Sequence, residues 1–421
     1  MERLPGFRDF YPEPLPSADA WSCDARQYIF DKWRTIAKRY AFREYDGPPL
    51  EPLELYTLKS GEEIVGQLYN FADKGERQVA MRPEMTPTLA RMVSATERQY
   101  KKPIKWFAVP QLFRYERQQK GRLREHFQFN CDIFGEADVS ADAELIALLI
   151  DSLRAFGLTE NDFVIRLSSR NAWQDFYKQR ITGEQPDAAQ REYQFFQIID
   201  KLEREKPEES EKKLAALGFS LKEVNDFIQS GAPTTELDSI LKNLAARGLT
   251  EFVKIDYQVI RGLAYYTGVV FEAFDKKGDF RAIAGGGRYN NLVKLISGGK
   301  ADLPALGFGM GDVVLLELLK ARGLLPKFDA QIDFFCMIED ETLRAETLRL
   351  IQELRVQGNI VEYSLTPAKS DKQFKRAMEL NAIHTMKLER GPTGALVGRL
   401  KNLKTREEKT IQSPEGLSGL N

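Results

Sequence analysis

The chain has 421 residues, 43% hydrophobic and 29% charged, which is the balance of a globular protein with length for roughly two to four domains. Lys plus Arg number 61 and Asp plus Glu 62, a net charge of -1, so a globally basic nucleic-acid binder is excluded and any nucleic-acid contact must come from local patches. No apolar run approaches the ~18 residues of a membrane-spanning helix, and Cys23, Cys131 and Cys336, with His126 and His384, match neither a disulfide framework nor a zinc spacing.

The N-terminal stretch MERLPGFRDFYPEP mixes charge and proline without an apolar core, which points to a reducing, cytosol-like compartment. Residues 16–40 repeat apolar side chains at helical spacing, with Ser17 or Asp19 as caps. Pro48, Pro49 and Pro52 then impose an extended or turning chain. QLYNFAD, QVAMRP, IKWFAVPQLFRYER and HFQFNCDIFG alternate in the manner of antiparallel strands with one covered face. ADAELIALLIDSLRAFGL is an amphipathic helix closed by Gly157, and FVIRLSS another strand. Residues 186–250 are charged and helical in period; they fit a helical insertion or a connecting helical hairpin. Strand patterns return at FVKIDYQVIRGLAYYTGVVFEAFD, AIAGGGRYNNLVKLI and ALGFGMGDVVLLELLKARGL. After a Gly/Pro joint near residue 325, residues 330–421 alternate strand and helix as a separate α/β domain with a parallel or mixed sheet.

Five segments can carry chemistry. Arg82-Pro83-Glu84-Met85-Thr86 ends a strand and opens a helix; its carboxylate and hydroxyl suit an ammonium group, or serve only as a helix cap. In FRYERQQKGRLREHFQFNCD, Arg114, Arg117, Lys120, Arg122 and Arg124 surround a glycine turn and suit a polyphosphate, because guanidinium forks bind phosphate oxygens in pairs. A solvated hairpin tip accounts for the loop cations but not for Arg114 between Phe113 and Tyr115. On the next strand Gln128, Asn130 and Asp132 share one face, turned to solvent or to a polar ligand. Arg261-Gly262-Leu263-Ala264-Tyr265-Tyr266 places two tyrosines in sequence, of which a regular strand turns one toward a given pocket. Gly285-Gly286-Gly287-Arg288-Tyr289 allows close backbone approach but matches neither a dinucleotide nor a P-loop pattern, and Gly307-Phe308-Gly309-Met310-Gly311-Asp312 before an apolar helix suits tight strand–helix packing or a helix N-terminus facing phosphate.

In order and spacing these segments resemble the histidyl-tRNA synthetase family of class II aminoacyl-tRNA synthetases, over nearly the whole chain. GFRDFYP opens the match. The prolines at 48 and 49 resemble the first class motif, FRYERQQKGRLREHFQ the second, RGLAYYTGVVFE the histidine signature, and AGGGRYNNLV with PALGFGMG the approach to the third. The resemblance implies an α+β fold: an antiparallel sheet flanked by helices over residues 1–325, with the insertion at about 186–250, and an anticodon-binding α/β domain at 330–421. It implies ATP-dependent activation of L-histidine and transfer to tRNA(His), with Mg²⁺ arriving on ATP, no protein-ligated metal, no membrane, a homodimer and a cytoplasmic setting. By resemblance Glu84 and Thr86 hold the α-amino group, Gln128 helps fix the substrate, Asp132 and Tyr266 meet the imidazole, and Tyr265 lines the pocket. Arg114 meets the α-phosphate and the histidine carboxylate, Arg117, Arg122 and Arg124 serve ATP, and Arg261 stabilises charge at the reacting centre.

The sequence departs from the family pattern at Val314, where the third motif normally carries an ATP-holding arginine. It departs again at Asp132, where glutamate is usual, and at Ala264, where aspartate is common. The first departure is compatible with an inactive paralogue acting as a histidine-sensing regulatory subunit of ATP phosphoribosyltransferase. The residue pattern also leaves room for a synthetase specific for proline, glycine or threonine, or for a plain RNA-binding module.

Overall fold

The computed structural model describes residues 2–60, 62–115, 123–181, 187–202, 205–260, 266–328 and 331–411. The chain forms two compact units, one of Met1–Phe10 with Cys23–Pro326 and one of Tyr11–Ser22 with Lys327–Asn421.

The first unit is organised by a nine-stranded sheet. Its strands are β1 (Arg43–Glu44), β2 (Ile104–Ala108), β3 (Gln111–Phe113), β4 (Glu125–Phe134), β5 (Phe163–Ser169), β6 (Val253–Ile255), β7 (Val269–Asp275), β8 (Ala284–Arg288) and β9 (Ala305–Gly311). They lie in the order β6-β5-β7-β8-β9-β4-β2-β1, with β3 paired to β4. The run from β5 to β2 is antiparallel, and only the outer strands β6 and β1 join it in parallel. One face is closed by helices because its strand positions are apolar. Helix α1 (Cys23–Arg39) lays Trp33 on Phe129 of β4, ring centroids 5.5 Å apart and nearly parallel. Beyond a helix at Thr86–Thr96, α2, comes α3 (Ser140–Arg154), which buries Leu145, Ile146, Leu148, Leu149 and Ile150 completely. Gly157 follows α3 at φ +88°, and its N–H returns to the carbonyl of Arg154.

Two sequence expectations shift. The first helix starts at Cys23 rather than at Ser17 or Asp19, because Ser17 opens a turn whose carbonyl accepts from Ala20. Within 187–250 the described residues carry helices at Ala188–Lys201, Pro207–Ala216, Leu221–Ser230 and Thr235–Ala246, more than a single hairpin. A capping box between Ser220 and Glu223 starts the third of these.

The second unit has a five-stranded sheet in the order Val361–Tyr363, Phe334–Met337, His384–Arg390, Leu396–Asn402, Glu408–Ile411. The first three strands are parallel and the last two antiparallel. Helix Arg344–Val356 presses Leu350, Ile351 and Leu354 against Phe334, Cys336 and Met386. The charged segment His384–Asn402 is a hairpin within this sheet, turning at Gly391–Gly394.

Candidate active site

The uncovered face of the large sheet is polar on β4 and bare beside it. Gln128, Asn130 and Asp132 stand in register with Gly311, Gly309 and Gly307 of β9. Gly309 and Gly307 in turn face Gly285 and Gly287 of β8. Gly285 faces Glu272 of β7, which faces Arg166 of β5. Directly opposed residues of an antiparallel pair share a face, so the centre of this face is a glycine floor. At Gly287 a side chain would meet backbone, and at Gly309 it would displace Gln128. A Cβ at Gly309 would stand 2.6–2.9 Å from the Gln128 carboxamide, and one at Gly287 would stand 2.6 Å from the Val269 carbonyl and 3.0 Å from the Tyr266 ring.

Two cavities open on the floor. The smaller, about 160 Å³, is lined by Glu84, Thr86, Gln128, Tyr266 and Tyr289, with Arg114 at its edge. The larger, about 720 Å³, takes in His126, Glu272, Arg281 and Val314. Arg114, Gln128, Gly285 and Gly309 line both.

Local structure brings Glu84 and Thr86 to Arg114. The Arg82 guanidinium donates to the carbonyls of Gln111 at 3.0 Å and Gly47 at 2.6 Å, and its backbone N–H donates to Pro49 at 2.9 Å. The Phe113 N–H returns a bond to the Arg82 carbonyl, and Arg114 Nε donates to the Pro83 carbonyl at 3.0 Å. The RPE segment is therefore tied to the strand end that carries Arg114. Thr86 is the first residue of α2, but the cap position is Met85 and no side chain caps it. Thr86 lines the cavity instead.

Asp132 sits one step behind the smaller cavity. Its carboxylate accepts from the Tyr289 hydroxyl, and Tyr289 is the group that lines the wall. Burial pushes the Asp132 carboxyl up to about 7, against the lowering effect of that hydrogen bond. His126, on β4 facing the larger cavity, is driven down to about 3 by burial and by the Arg114 and Arg8 charges, so its ring stays neutral. Among the described residues no group of three His, Cys, Asp or Glu side chains could hold a metal ion.

Of the residues singled out from sequence, Glu84, Thr86, Arg114, Gln128 and Tyr266 come together around one cavity, with Asp132 behind it. Tyr266 precedes β7 rather than lying within it. Arg124, expected at the phosphates, lies outside the lining of both cavities. Its guanidinium stacks on Tyr115 at 4.4 Å and its side chain fills the space beside Gly6. Arg117, Arg122, Arg261 and Tyr265 fall outside the described residues. Sequence reasoning gave no role to Tyr289, although it stands two residues after the triple glycine. It also missed Arg8, whose guanidinium reaches Glu125 at 2.6 Å and Asp312 at 2.8 Å.

An antiparallel sheet with an arginine-bearing hairpin, a glycine-floored cleft and a strand-to-helix turn at Gly311–Asp312 is the catalytic architecture of class II aminoacyl-tRNA synthetases. The family model for histidyl-tRNA synthetase matches residues 21–312. The chain is 44% identical to the histidine--tRNA ligase of Opitutus terrae, covering 98% of this chain and 96% of that one. It is 36% identical to the histidine--tRNA ligase of Thermoplasma volcanium, covering 90% and 88%. Among solved structures, histidyl-tRNA synthetase from Nostoc sp. PCC 7120 superimposes with a TM-score of 0.74 at 21% identity, covering 97% of each chain. A Bacillus halodurans structure described as an ATP phosphoribosyltransferase regulatory subunit/histidyl-tRNA synthetase gives 0.71 at 20% identity, over 92% of this chain and 97% of that one. These two likenesses establish the fold. The chain belongs to the histidyl-tRNA synthetase family.

Proposed function

We infer that the chain is a histidine--tRNA ligase: it joins L-histidine to ATP as histidyl-adenylate, releases diphosphate, and transfers the histidyl group to the 3′ end of tRNA(His), releasing AMP. The observation that carries the reading is the shared wall at Arg114, where an amino-acid-sized cavity opens into one large enough for a nucleotide.

The chemistry needs no protein nucleophile. A histidine carboxylate oxygen attacks the α-phosphorus of ATP and the bond to diphosphate breaks. The ribose hydroxyl of the tRNA end then attacks the adenylate carbonyl and AMP leaves. The protein's work is to hold two anions in line and to offset charge in the transition state. In this reading Glu84 and Thr86 take the α-ammonium, and Gln128 fixes the substrate on the glycine floor. Tyr266 and the Asp132–Tyr289 pair face the imidazole. Arg114 bridges the carboxylate and the α-phosphate, where a guanidinium fork suits both anions. Arg261 stabilises the reacting centre, Tyr265 completes the pocket, and Arg117 and Arg122 take the outer phosphates. Mg²⁺ comes as part of the ATP substrate and neutralises phosphate charge. Residues 330–421 serve as the anticodon-binding domain, the enzyme works as a homodimer, and its setting is the cytoplasm.

A regulatory subunit would share the fold, and identities of 36–44% to histidine--tRNA ligases over most of the chain favour the ligase. Histidine-dependent exchange of labelled diphosphate into ATP tests the choice: a ligase exchanges, and a sensor only binds.

A further inference from the structure

The third-motif position usually held by an arginine is Val314, and Val314 is a partly exposed side chain in the first turn of α4 (Asp312–Arg322), lining the larger cavity. That turn offers no substitute cation: its charged residue is Asp312, and Asp312 is held by Arg8. Beside the Arg117 and Arg122 assigned to the outer phosphates, a polyphosphate placed beyond Arg114 can draw positive charge from another wall of the same cavity. Apart from Arg114, two described arginines line that cavity, Arg166 and Arg281.

The two are differently placed. Arg166 rises from the sheet floor opposite Glu272, its guanidinium lies over the Phe274 ring at 4.1 Å, and Asp256 stands 3.5 Å away. Arg281 stands at the rim, on the chain that leads into β8. The Ile283 N–H donates to the Ala273 carbonyl at 2.8 Å, which extends the β7–β8 pairing below the rim. Arg281 itself lines the larger cavity from the bend that precedes β8. Its side chain is exposed, so binding an anion there does not first require removing the guanidinium from a buried site.

We propose that Arg281 is an ATP-binding residue that supplies, from the β7–β8 connection, the guanidinium that Val314 lacks. The assignment rests on the ligase reading for the identity of the ligand and goes beyond it in naming the group. The α-phosphate must lie at Arg114, where the two cavities meet, so a second guanidinium further along the larger cavity meets the β- and γ-phosphates. Arginine is the residue type suited to that contact because its fork pairs with phosphate oxygens. The family pattern and this chain then place the same charge in one cavity from two different walls.

The test is equilibrium binding of MgATP and of histidine to the full chain, run beside diphosphate exchange. R281A is expected to weaken MgATP roughly tenfold or more, the scale of one lost charge-assisted contact, with histidine affinity and thermal midpoint unchanged. R281K is expected to recover part of the loss. The double variant R281A/V314R is expected to recover ATP affinity, because Val314 already faces the same cavity. ATP affinity unchanged in R281A, or no recovery in both R281K and R281A/V314R, overturns the proposal. Absence of exchange in the unaltered protein, with ATP binding still sensitive to R281A, would instead overturn the ligase reading and leave Arg281 in place.

Discussion

Arg8 and Asp312 are 304 residues apart in the chain and 2.8 Å apart in the structure. The same guanidinium holds Glu125 at 2.6 Å, and the other Asp312 oxygen accepts from the Phe127 N–H at 3.0 Å. The N-terminal segment, the start of β4 and the first residue of α4 are thereby fixed to one another beside the cleft. All three side chains are buried. Breaking such a group leaves two carboxylates without their cation, which costs on the order of 3–5 kcal/mol. Arg8→Ala is expected to lower the chemical-denaturation midpoint accordingly. Arg8→Lys should recover part of the loss, since an ammonium cannot make the same fork. A midpoint within error of the parent for Arg8→Ala would refute the structural role.

Gly309 sets the height of the floor beneath Gln128. A methyl group there would stand 2.6 Å from the Gln128 carboxamide carbon, so the amide must swing away while the strand backbone stays put. Gly309→Ala is expected to raise the KM for histidine by roughly tenfold, the scale of one displaced polar contact, with little change in stability. Equal losses for histidine and for fold stability would instead mark Gly309 as a packing position.

Thr86 separates ligand binding from helix capping. Because Met85 occupies the cap position and no side chain caps α2, removing the hydroxyl should not weaken the helix. Thr86→Val is expected to keep stability within about 0.5 kcal/mol and to raise the KM for histidine. A large drop in thermal midpoint with unaltered histidine binding would contradict this placement.

Asp132 links pH to both stability and binding. Its carboxyl titrates near 7 when folded, against about 3.9 in an unfolded chain. The folded state therefore binds the extra proton between those values, and this group's contribution to stability falls as pH rises from about 4 to 7. Asp132→Asn removes the cost of the buried charge, so the variant should gain thermal stability over the parent at pH 8 and lose that advantage toward pH 5. Histidine binding should run the other way. The parent should bind more tightly than Asp132→Asn at pH 8, and the gap should close as pH falls below 7 and the carboxyl protonates. Parallel pH profiles for the two proteins would exclude Asp132 as the titrating group.

The parts of the site legible in the sequence are those set by strand alternation and local motif. Gln128, Asn130 and Asp132 share a face because strand residues alternate, and Glu84, Thr86 and Arg114 reach the cavity from strand ends that the motifs mark. Both glycine runs were legible as sites of close approach or tight packing, but not their register. Only the pairing of β8 with β9 shows that Gly285 and Gly309, with Gly287 and Gly307, form one continuous floor. The Arg8–Asp312 contact leaves no trace in local pattern, since nothing in either segment points to a partner at that separation. For Arg124 the sequence leaves two readings open, because a guanidinium near a phosphate loop and one stacked on Tyr115 look alike in sequence. Arg281 was overlooked because a lone arginine in a charged connection carries no signal until the cavity beside it is seen.

Amino-acid-dependent exchange of labelled diphosphate into ATP, run with histidine, proline, glycine and threonine in turn, probes the whole scheme at once. The arrangement around Arg114, Glu84 and the Asp132–Tyr289 pair predicts incorporation with histidine alone. Incorporation driven by another of these amino acids, or none under any condition in a protein that binds both histidine and ATP, would contradict it.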